Sequence, residues 1–247
     1  MSALLQAAIN GDRRPEDHAA LPVDPAAIAR DVHAVVEAGA GAIHLHVRDP
    51  DGRESLHPDD VGRCLEAARA AAPGTPIGVS TGAWIVPDPA ERLDRVRHWR
   101  VLPDFASVNY HEKGAADLIR LLAGRGIGVE IGVWKSAIAD RVVREGAGPQ
   151  ALRLLIEPTE ESLDEAMANV LAIEATLARG GVAAPRLLHG FGPTAWGFVE
   201  IAARRSWATR IGLEDTLHLP GGAAAPGNVA LVRAARDLID AAAERSF

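Results

Sequence analysis

The stretch G-A-I-H-L-H-V-R-D at residues 41–49 is a short apolar run with a turn residue at each end. Its length and alternation predict a buried β-strand over Ala42–Val47. Successive side chains of a strand point to opposite faces, so His44 and His46 share one face and Leu45 lies on the other.

Similar short apolar runs recur along the chain and alternate with longer helical patterns. The predicted strands are Leu4–Ile9, Ala42–Val47, Ile77–Ser80, Phe105–Val108, Val129–Val133, Leu152–Ile156, Arg186–His189 and Thr209–Leu213. Eight buried strands separated by helices are typical of an α/β fold, the (β/α)8 TIM barrel, and the length of 247 residues suits it. A doubly wound open sheet is the structural alternative.

Helix boundaries support this interpretation. Asp24-Pro25 and Asp88-Pro89 each place an N-capping aspartate before a proline. Ser162 to Glu165 predicts a capping box that opens a long helix ending at Gly180-Gly181. A last helix is expected from about Asn228 to Glu244. No linker or charge run divides the chain, so we expect one barrel domain over residues 1–247.

Composition excludes several classes of protein. The 33 acidic residues outnumber the 26 basic ones, for a net charge of −7, which argues against a nucleic-acid surface. Cys64 is the one cysteine, so we exclude an intrachain disulfide and interpret Cys64 as a packing residue. The N-terminus lacks the pattern of a signal peptide, and no apolar stretch suits a membrane span. We therefore expect a cytoplasmic protein.

A divalent metal would explain the two histidines on one face of a strand, near the end where barrel active sites lie. The segment R-I-G-L-E-D-T ends the eighth predicted strand and supplies Glu214 as a third ligand. Two histidines and a glutamate form a familiar catalytic zinc set, although Mn²⁺, Co²⁺ or Fe²⁺ would also bind it. The alternatives are two hydrogen-bonded core histidines and a helix-capping pair at Glu214-Asp215.

Two further segments carry weaker signals. H-G-F-G-P-T-A-W, beginning at His189, follows the seventh predicted strand and is either a phosphate-binding loop or a plain turn. Trp84 follows the third strand and either covers the pocket or packs in the fold.

The motifs at four strand ends resemble the β-keto acid cleavage enzyme family. They are H-L-H-V-R-D, V-S-T-G at Val79–Gly82, A-S-V-N at Ala106–Asn109 and R-I-G-L-E-D at Arg210–Asp215. The resemblance extends over nearly the whole chain, from A-A-I-N-G near residue 7 to Asn228–Val232. It implies a homo-oligomeric barrel, a homotetramer, with a divalent metal that is most often Zn²⁺. The implied reaction converts a β-keto acid and acetyl-CoA into acetoacetate and a new acyl-CoA.

The resemblance also implies roles for individual residues. Metal ligands are expected at His44, His46 and Glu214, and a general base at Asp215. Polar residues at the ends of strands three and four are expected to bind the keto acid, namely Ser80, Thr81, Ser107 and Asn109. Arg210 and Glu130 are expected to join Asp215 as catalytic residues, with Glu130 beside Arg210 to hold it in place. The alternative for Glu130 and Arg210 is a structural ion pair inside the barrel.

Two segments depart from the family pattern. I-N-G-D-R-R at residues 9–14 lacks a clear equivalent of the acid that meets a substrate amine, because neither Asn10 nor Asp12 clearly replaces it, and this argues against an amino-bearing substrate. L-L-I-E-P-T-E-E-S at residues 154–162 is short and acidic, which is unfavourable beside CoA phosphates. The alternative functions are another metal-dependent barrel aldolase, lyase or isomerase that acts through an enolate, and a non-catalytic binding barrel.

Overall fold

The computed structural model describes residues 3–244, which fold into a closed barrel of parallel strands. Each strand pairs with the next in sequence, and the eighth pairs with the first. The strands are β1 (Leu5–Ala8), β2 (Ala42–Leu45), β3 (Ile77–Ser80), β4 (Phe105–Asn109), β5 (Gly128–Val133), β6 (Arg153–Ile156), β7 (Arg186–Leu188) and β8 (Ala208–Ile211). The predicted TIM barrel is confirmed, and the open sheet is excluded.

A helix follows every strand. The helices are α1 (Pro25–Glu37), α2 (Pro58–Ala71), α3 (Pro89–Arg97), α4 (Ala115–Gly124), α5 (Ser136–Arg144), α6 (Leu163–Arg179), α7 (Ala195–Arg204) and α8 (Asn228–Glu244). Short 3₁₀ turns at Gly148–Gln150 and Gly192–Thr194 precede β6 and α7. Each helix packs its apolar stripe against the outside of the barrel, as this architecture requires.

Alternation along the strands directs one set of side chains outward, toward the helices, and the other set inward, toward the barrel axis. On β2, Ile43 and Leu45 point outward and belong to the large apolar cluster between strands and helices. The residues that alternate with them, Ala42 and His44, face the barrel axis. The parallel register that pairs His44 with Gly78 of β3 then places polar side chains together at the carboxyl ends of the strands.

The two predicted aspartate caps are confirmed. Asp24 accepts a hydrogen bond from the Ala27 amide at 2.9 Å, and Asp88 accepts one from the Glu91 amide at 2.8 Å. The predicted capping box at Ser162 is wrong, because the Ser162 side chain accepts no capping hydrogen bond. The helix α6 nevertheless begins at Leu163, since burial of its apolar face stabilises it without the box.

Two further expectations concern the role of Cys64 and the membrane-spanning helices. Burial on α2 raises the pKa of the Cys64 thiol to about 12, which suits a packing residue and not a nucleophile. Within residues 3–244, we find no helix with the length and hydropathy that a bilayer crossing requires.

Candidate metal centre and active site

A cavity of about 410 Å³ opens at the carboxyl ends of the barrel strands. Its lining comes from the ends of the strands and from the loops that follow them. The lining residues are Asp12, Arg13, His44, His46, Ser80, Trp84, Ser107, Asn109, Trp134, Leu155, Glu157, Phe191, Arg210 and Glu214. This end of the barrel is where enzymes with this fold place their chemistry.

His44, His46 and Glu214 converge on one side of this cavity. His44 is buried on β2, His46 is buried directly after that strand, and Glu214 lies three residues after β8. Both imidazole Nε2 atoms lie 3.6 Å from a carboxylate oxygen of Glu214. One ligand atom from each residue lies within 4.8 Å of the other two. Two atoms bound to one tetrahedral zinc lie about 3.4 Å apart, so the three side chains fit a shared divalent cation.

The electrostatics of His44 and Glu214 also fit a cation. Burial lowers the pKa of His44 to about 3, which keeps that imidazole neutral and able to donate a lone pair. Arg210 and the two histidines outweigh burial and hold the pKa of Glu214 well below its usual range. The Oε2 atom of Glu214 is buried and has no hydrogen-bond partner among the residues the structure describes. A buried carboxylate oxygen without a donor is costly, and a metal ion would satisfy it.

Glu54 completes the surroundings of His46, although the sequence did not single it out. Its carboxylate contacts Nδ1 of His46, on the side of the ring away from Glu214. Burial opposes the charged imidazole, but Glu214 and Glu54 together raise the pKa of His46 to about 9. Trp84 donates its indole N–H to Glu54 at 3.0 Å and stacks on the His46 ring. A carboxylate behind a metal-binding histidine is a common arrangement.

A turn brings Glu54 to this position. The chain reverses at Asp49–Gly52, and an antiparallel bridge pairs Arg48 with Glu54. The sequence D-P-D-G carries the turn signal. It therefore indicated a return of the chain toward β2, but the side chain that would meet His46 depended on the shape of the loop.

Asn10 has a structural role at the end of β2. Its side chain accepts from the backbone amide of His46 at 2.8 Å and donates to the His46 carbonyl at 2.9 Å. Asn10 is fully buried, whereas Asp12 is exposed at the rim of the cavity. The Asn10 side chain thus holds the backbone of His46 in place.

The adjacent carboxylates Glu214 and Asp215 have different surroundings. Asp215 is fully buried and accepts hydrogen bonds from Arg210 at 2.8 and 3.2 Å. Arg210 also donates to Glu214 at 2.7 Å, so one guanidinium holds both carboxylates. The helix-capping alternative for this pair is wrong, because the next helix begins only at Asn228.

Close backbone packing makes the turn before Glu214 possible. A Cβ atom at Gly212 would lie 1.9 Å from the carbonyl oxygen of Ala8 on β1. Glycine is therefore required where β8 passes β1 and the chain turns inward. The Asp215 amide closes this turn by donating to the Gly212 carbonyl at 2.9 Å.

The predicted pairing of Glu130 with Arg210 is wrong. Glu130 is fully buried and pairs with Arg153 at 2.8 Å, and it accepts a hydrogen bond from Gln6 at 2.7 Å. The register of β5 and β6 sets Glu130 directly opposite Arg153, whereas Arg210 reaches toward its own turn. Burial raises the pKa of Glu130, although Arg153 and Gln6 oppose the shift. Glu130 thus belongs to an ion pair inside the barrel and does not line the cavity.

Three of the four expected substrate-binding residues line the cavity, namely Ser80, Ser107 and Asn109. Thr81 does not. It is fully buried, and its hydroxyl donates to the Ser107 carbonyl at 2.6 Å. The expected contact of Thr81 with substrate is therefore not supported, because alternation turns its side chain away from the barrel axis.

His189 lies between two carboxylates behind the cavity wall. Its Nε2 is 3.3 Å from Glu157 and its Nδ1 is 3.5 Å from Asp215. Burial and Arg210 disfavour the cation, but Asp215 and Glu157 outweigh them and raise the pKa of His189. The flanking carboxylates make a phosphate-binding site unfavourable here. Glu157 itself lines the cavity, which its position in an acidic loop did not predict.

The sequence of this chain matches one protein family and several curated proteins. The family described as "beta-keto acid cleavage enzyme" matches residues 2–246. A "3-keto-5-aminohexanoate cleavage enzyme" of Fusobacterium nucleatum is 29% identical over 152 residues, which are 57% of this chain and 56% of that protein. A "3-oxoadipate:acetyl-CoA acetyltransferase" of Cupriavidus necator is 40% identical over 80 residues, which are 32% of this chain and 28% of that protein. The matches thus span little more than half of these curated relatives at most.

Solved structures show the same fold. The "Ternary complex of ObcA with C4-CoA adduct and oxalate" superposes with a TM-score of 0.75 at 17% identity, over 90% of this chain and 64% of that one. The 3-dehydroquinate dehydratase of Geobacillus kaustophilus gives 0.64 at 11% identity, over 100% and 93% of the two chains. At these identities the similarity concerns architecture alone.

Proposed function

This chain belongs to the beta-keto acid cleavage enzyme family, and we propose that it is a metal-dependent enzyme of that family. The proposed reaction moves the acyl group of a β-keto acid onto the sulfur of CoA and the acetyl group of acetyl-CoA onto the remaining two-carbon acid. The products are acetoacetate and a new acyl-CoA. The observation that carries the proposal is the convergence of His44, His46 and Glu214 on a cavity lined by Ser80, Ser107 and Asn109.

We infer that the three converging side chains hold a divalent metal, Zn²⁺. The metal would stabilise negative charge that develops on the keto oxygen of the substrate. The remaining chemistry falls to side chains of this protein. Ser80 on β3 and Ser107 and Asn109 on β4 would orient the keto acid by hydrogen bonds.

Asp215 is the proposed general base. It would take a proton from the carbon between the keto and carboxyl groups, which leaves that carbon able to attack the acetyl thioester. Asp215 is fully buried behind the residues that line the cavity. Support for the role comes from its Oδ2 atom, which has no hydrogen-bond partner within the described chain, while Oδ1 is held by Arg210. Arg210 lines the cavity and touches both Asp215 and Glu214, so it would hold the base beside the metal.

A substrate screen tests the proposal. Zinc-loaded protein is incubated with a panel of β-keto acids and acetyl-CoA labelled in the acetyl group, and products are identified by mass. We expect labelled acetoacetate together with an acyl-CoA that matches the keto acid, and loss of both in His46→Ala. Consumption of a keto acid without label in acetoacetate would favour an aldolase, lyase or isomerase of the same architecture.

A further inference from the structure

An unpartnered acceptor lies in the half of the barrel opposite the metal ligands. Glu157 follows β6 and is only 5% exposed, yet it lines the cavity. Its Oε2 atom faces His189 at 3.3 Å. Its Oε1 atom is buried and has no hydrogen-bond partner anywhere in residues 3–244. A buried carboxylate oxygen left in this state is costly unless a ligand supplies a donor.

A second acceptor is held toward the same place. The side-chain amide of Asn109 donates to Glu112 at 3.0 Å. Glu112 is fixed in turn by Arg92, with which it forms a buried ion pair of 2.6 Å. Because the amide nitrogen is committed to Glu112, the carbonyl oxygen of Asn109 is the atom left to face the other way.

Gly132 of β5 allows these two acceptors to come close together. A Cβ atom at this position would lie 2.5 Å from Oε1 of Glu157 and 2.6 Å from Oδ1 of Asn109. Both oxygens therefore pack against the backbone of Gly132, where any side chain would collide with them. They lie close enough to each other to accept from one donor group that enters the cavity.

We propose that Glu157 and Asn109 form a specificity subsite for the end of the substrate remote from the metal. The proposal rests on the proposed function, since it names the kind of β-keto acid this cavity accepts. That acid carries a hydrogen-bond donor, a hydroxyl or an ammonium group, on its acyl chain, and an ammonium would here meet Glu157 in place of the acid that residues 9–14 lack. A carboxylate at the same end would meet the carboxylate of Glu157 and bind poorly.

Apolar side chains lie on the way to this subsite. Leu155 on β6 and Trp134, the residue directly after β5, line the cavity. They supply apolar surface for the carbons between the keto group and the donor, and Phe191 extends that surface toward β8. A mostly apolar pocket with a few directed polar groups is typical of small-molecule specificity.

Calorimetric titration without acetyl-CoA tests the subsite independently of turnover. The ligands are four freshly prepared 3-oxo acids of equal chain length that end in methyl, hydroxyl, ammonium or carboxylate. Zinc-loaded protein should bind a donor-ended acid about 10- to 100-fold more tightly than the methyl-ended acid, the usual worth of hydrogen bonds to a charged group. The carboxylate-ended acid should bind most weakly, and the tighter of the hydroxyl- and ammonium-ended acids identifies the natural donor.

Glu157→Gln provides the decisive variant. Loss of charge should reduce the advantage of the ammonium-ended acid at least about tenfold and should improve binding of the carboxylate-ended acid. A merely damaged fold would weaken all four ligands together. Glu161→Gln, in the same loop but exposed, should keep the wild-type order.

Equal affinity for the methyl- and donor-ended acids, or no measurable binding of either donor-ended acid, would overturn the subsite. A correct binding order without formation of acetoacetate would instead contradict the proposed reaction and leave the subsite standing. The two proposals thus fail in different experiments.

Discussion

Glu54 contacts Nδ1 of His46, while Nε2 of the same ring faces Glu214 at 3.6 Å. The imidazole is therefore held from behind by one carboxylate and directed by its other nitrogen toward the proposed metal. Such a partner fixes the tautomer of the ring and increases its basicity as a ligand. Trp84 anchors Glu54 in turn by its indole hydrogen bond.

Glu54→Gln should weaken zinc binding about 10- to 100-fold, the range that loss of such a carboxylate partner produces. His46→Ala should abolish stoichiometric binding, because it removes a ligand. Affinities are measured by competition with a chromophoric chelator, after elemental analysis has established about one metal per wild-type chain. Glu66→Gln, exposed on α2, serves as the matched control. Unchanged affinity in both Glu54→Gln and His46→Ala would exclude this metal centre.

The buried ion pair beneath the cavity gives a prediction about stability. Arg153→Met should destabilise the fold by about 3–5 kcal/mol, because it leaves the Glu130 carboxylate buried without its cation. Glu130→Gln combined with Arg153→Met should cost less than the sum of the single changes. The free energies of unfolding of the four proteins give the coupling. A larger coupling of Glu130 with Arg210 would restore the pairing that the sequence suggested.

How much the sequence reveals differs from residue to residue. Strand alternation alone placed His44 and His46 on one face, and the end of β8 brought Glu214 within reach. Barrel closure then made their convergence predictable. The partner of Glu130 was not predictable in this way, because it depends on the register between β5 and β6, which no local pattern specifies.

The positions of the loop side chains are even harder to predict from the sequence. Glu54 and Glu157 reach the cavity by the paths of their loops, and neither path has a periodicity that indicates where a side chain points. The segment after β6 is short and acidic, which the sequence alone shows. The structure shows that Glu157, the first acidic residue of that segment, faces the cavity. The acidity of this segment therefore bears on the substrate pocket as well as on the approach of CoA.

Asp31 on α1 gives a pH-dependent prediction away from the metal centre. Burial raises the pKa of its carboxyl from 3.8 to about 6, and a hydrogen bond from Asn228 opposes the shift only in part. The folded state therefore binds more protons than the unfolded state between these values. Its stability should fall as the pH rises from about 4 to about 6, and the full cost persists above that window.

Asp31→Asn should remove this cost, since an amide oxygen still accepts from Asn228 without becoming charged. At pH 8 the variant should be more stable by up to about 3 kcal/mol, from 1.36 kcal/mol per unit of pKa difference. Near pH 4 the two proteins should have similar stability. Urea unfolding across this pH range measures the difference, with exposed Asp237→Asn as the control. A stability difference independent of pH would contradict the assignment.

The expected homotetramer is checked by the mass in solution. The family resemblance implies it, and Leu163 and Leu171 on α6 leave apolar surface exposed on the outside of the barrel. Light scattering at micromolar concentration should give about four times the chain mass of 26.0 kDa. A monomeric mass would contradict this expectation.

The adjacent carboxylates Glu214 and Asp215 offer the sharpest separation of roles. Glu214 is proposed to bind the metal, so Glu214→Gln should lower metal content, because a neutral amide is a poorer ligand than a carboxylate. Asp215 is proposed to move a proton, so Asp215→Asn should keep the metal. Its turnover should fall by about 10²–10⁴-fold, the usual contribution of a positioned acid or base.

The burial of Asp215 complicates this comparison. Measuring the melting temperature and kcat of the same variant separates the two roles. Asp215 is fully buried against Arg210, so its replacement also weakens an ion pair, and the melting temperature must be recorded beside kcat. A purely structural aspartate predicts a lower melting temperature with near-normal turnover of the surviving protein. A general base predicts a nearly normal melting temperature and a much lower kcat. KM should change little, because the contribution arises in the transition state. Loss of metal in Asp215→Asn but not in Glu214→Gln would show that the two roles are exchanged, since each carboxylate then behaves as its neighbour should.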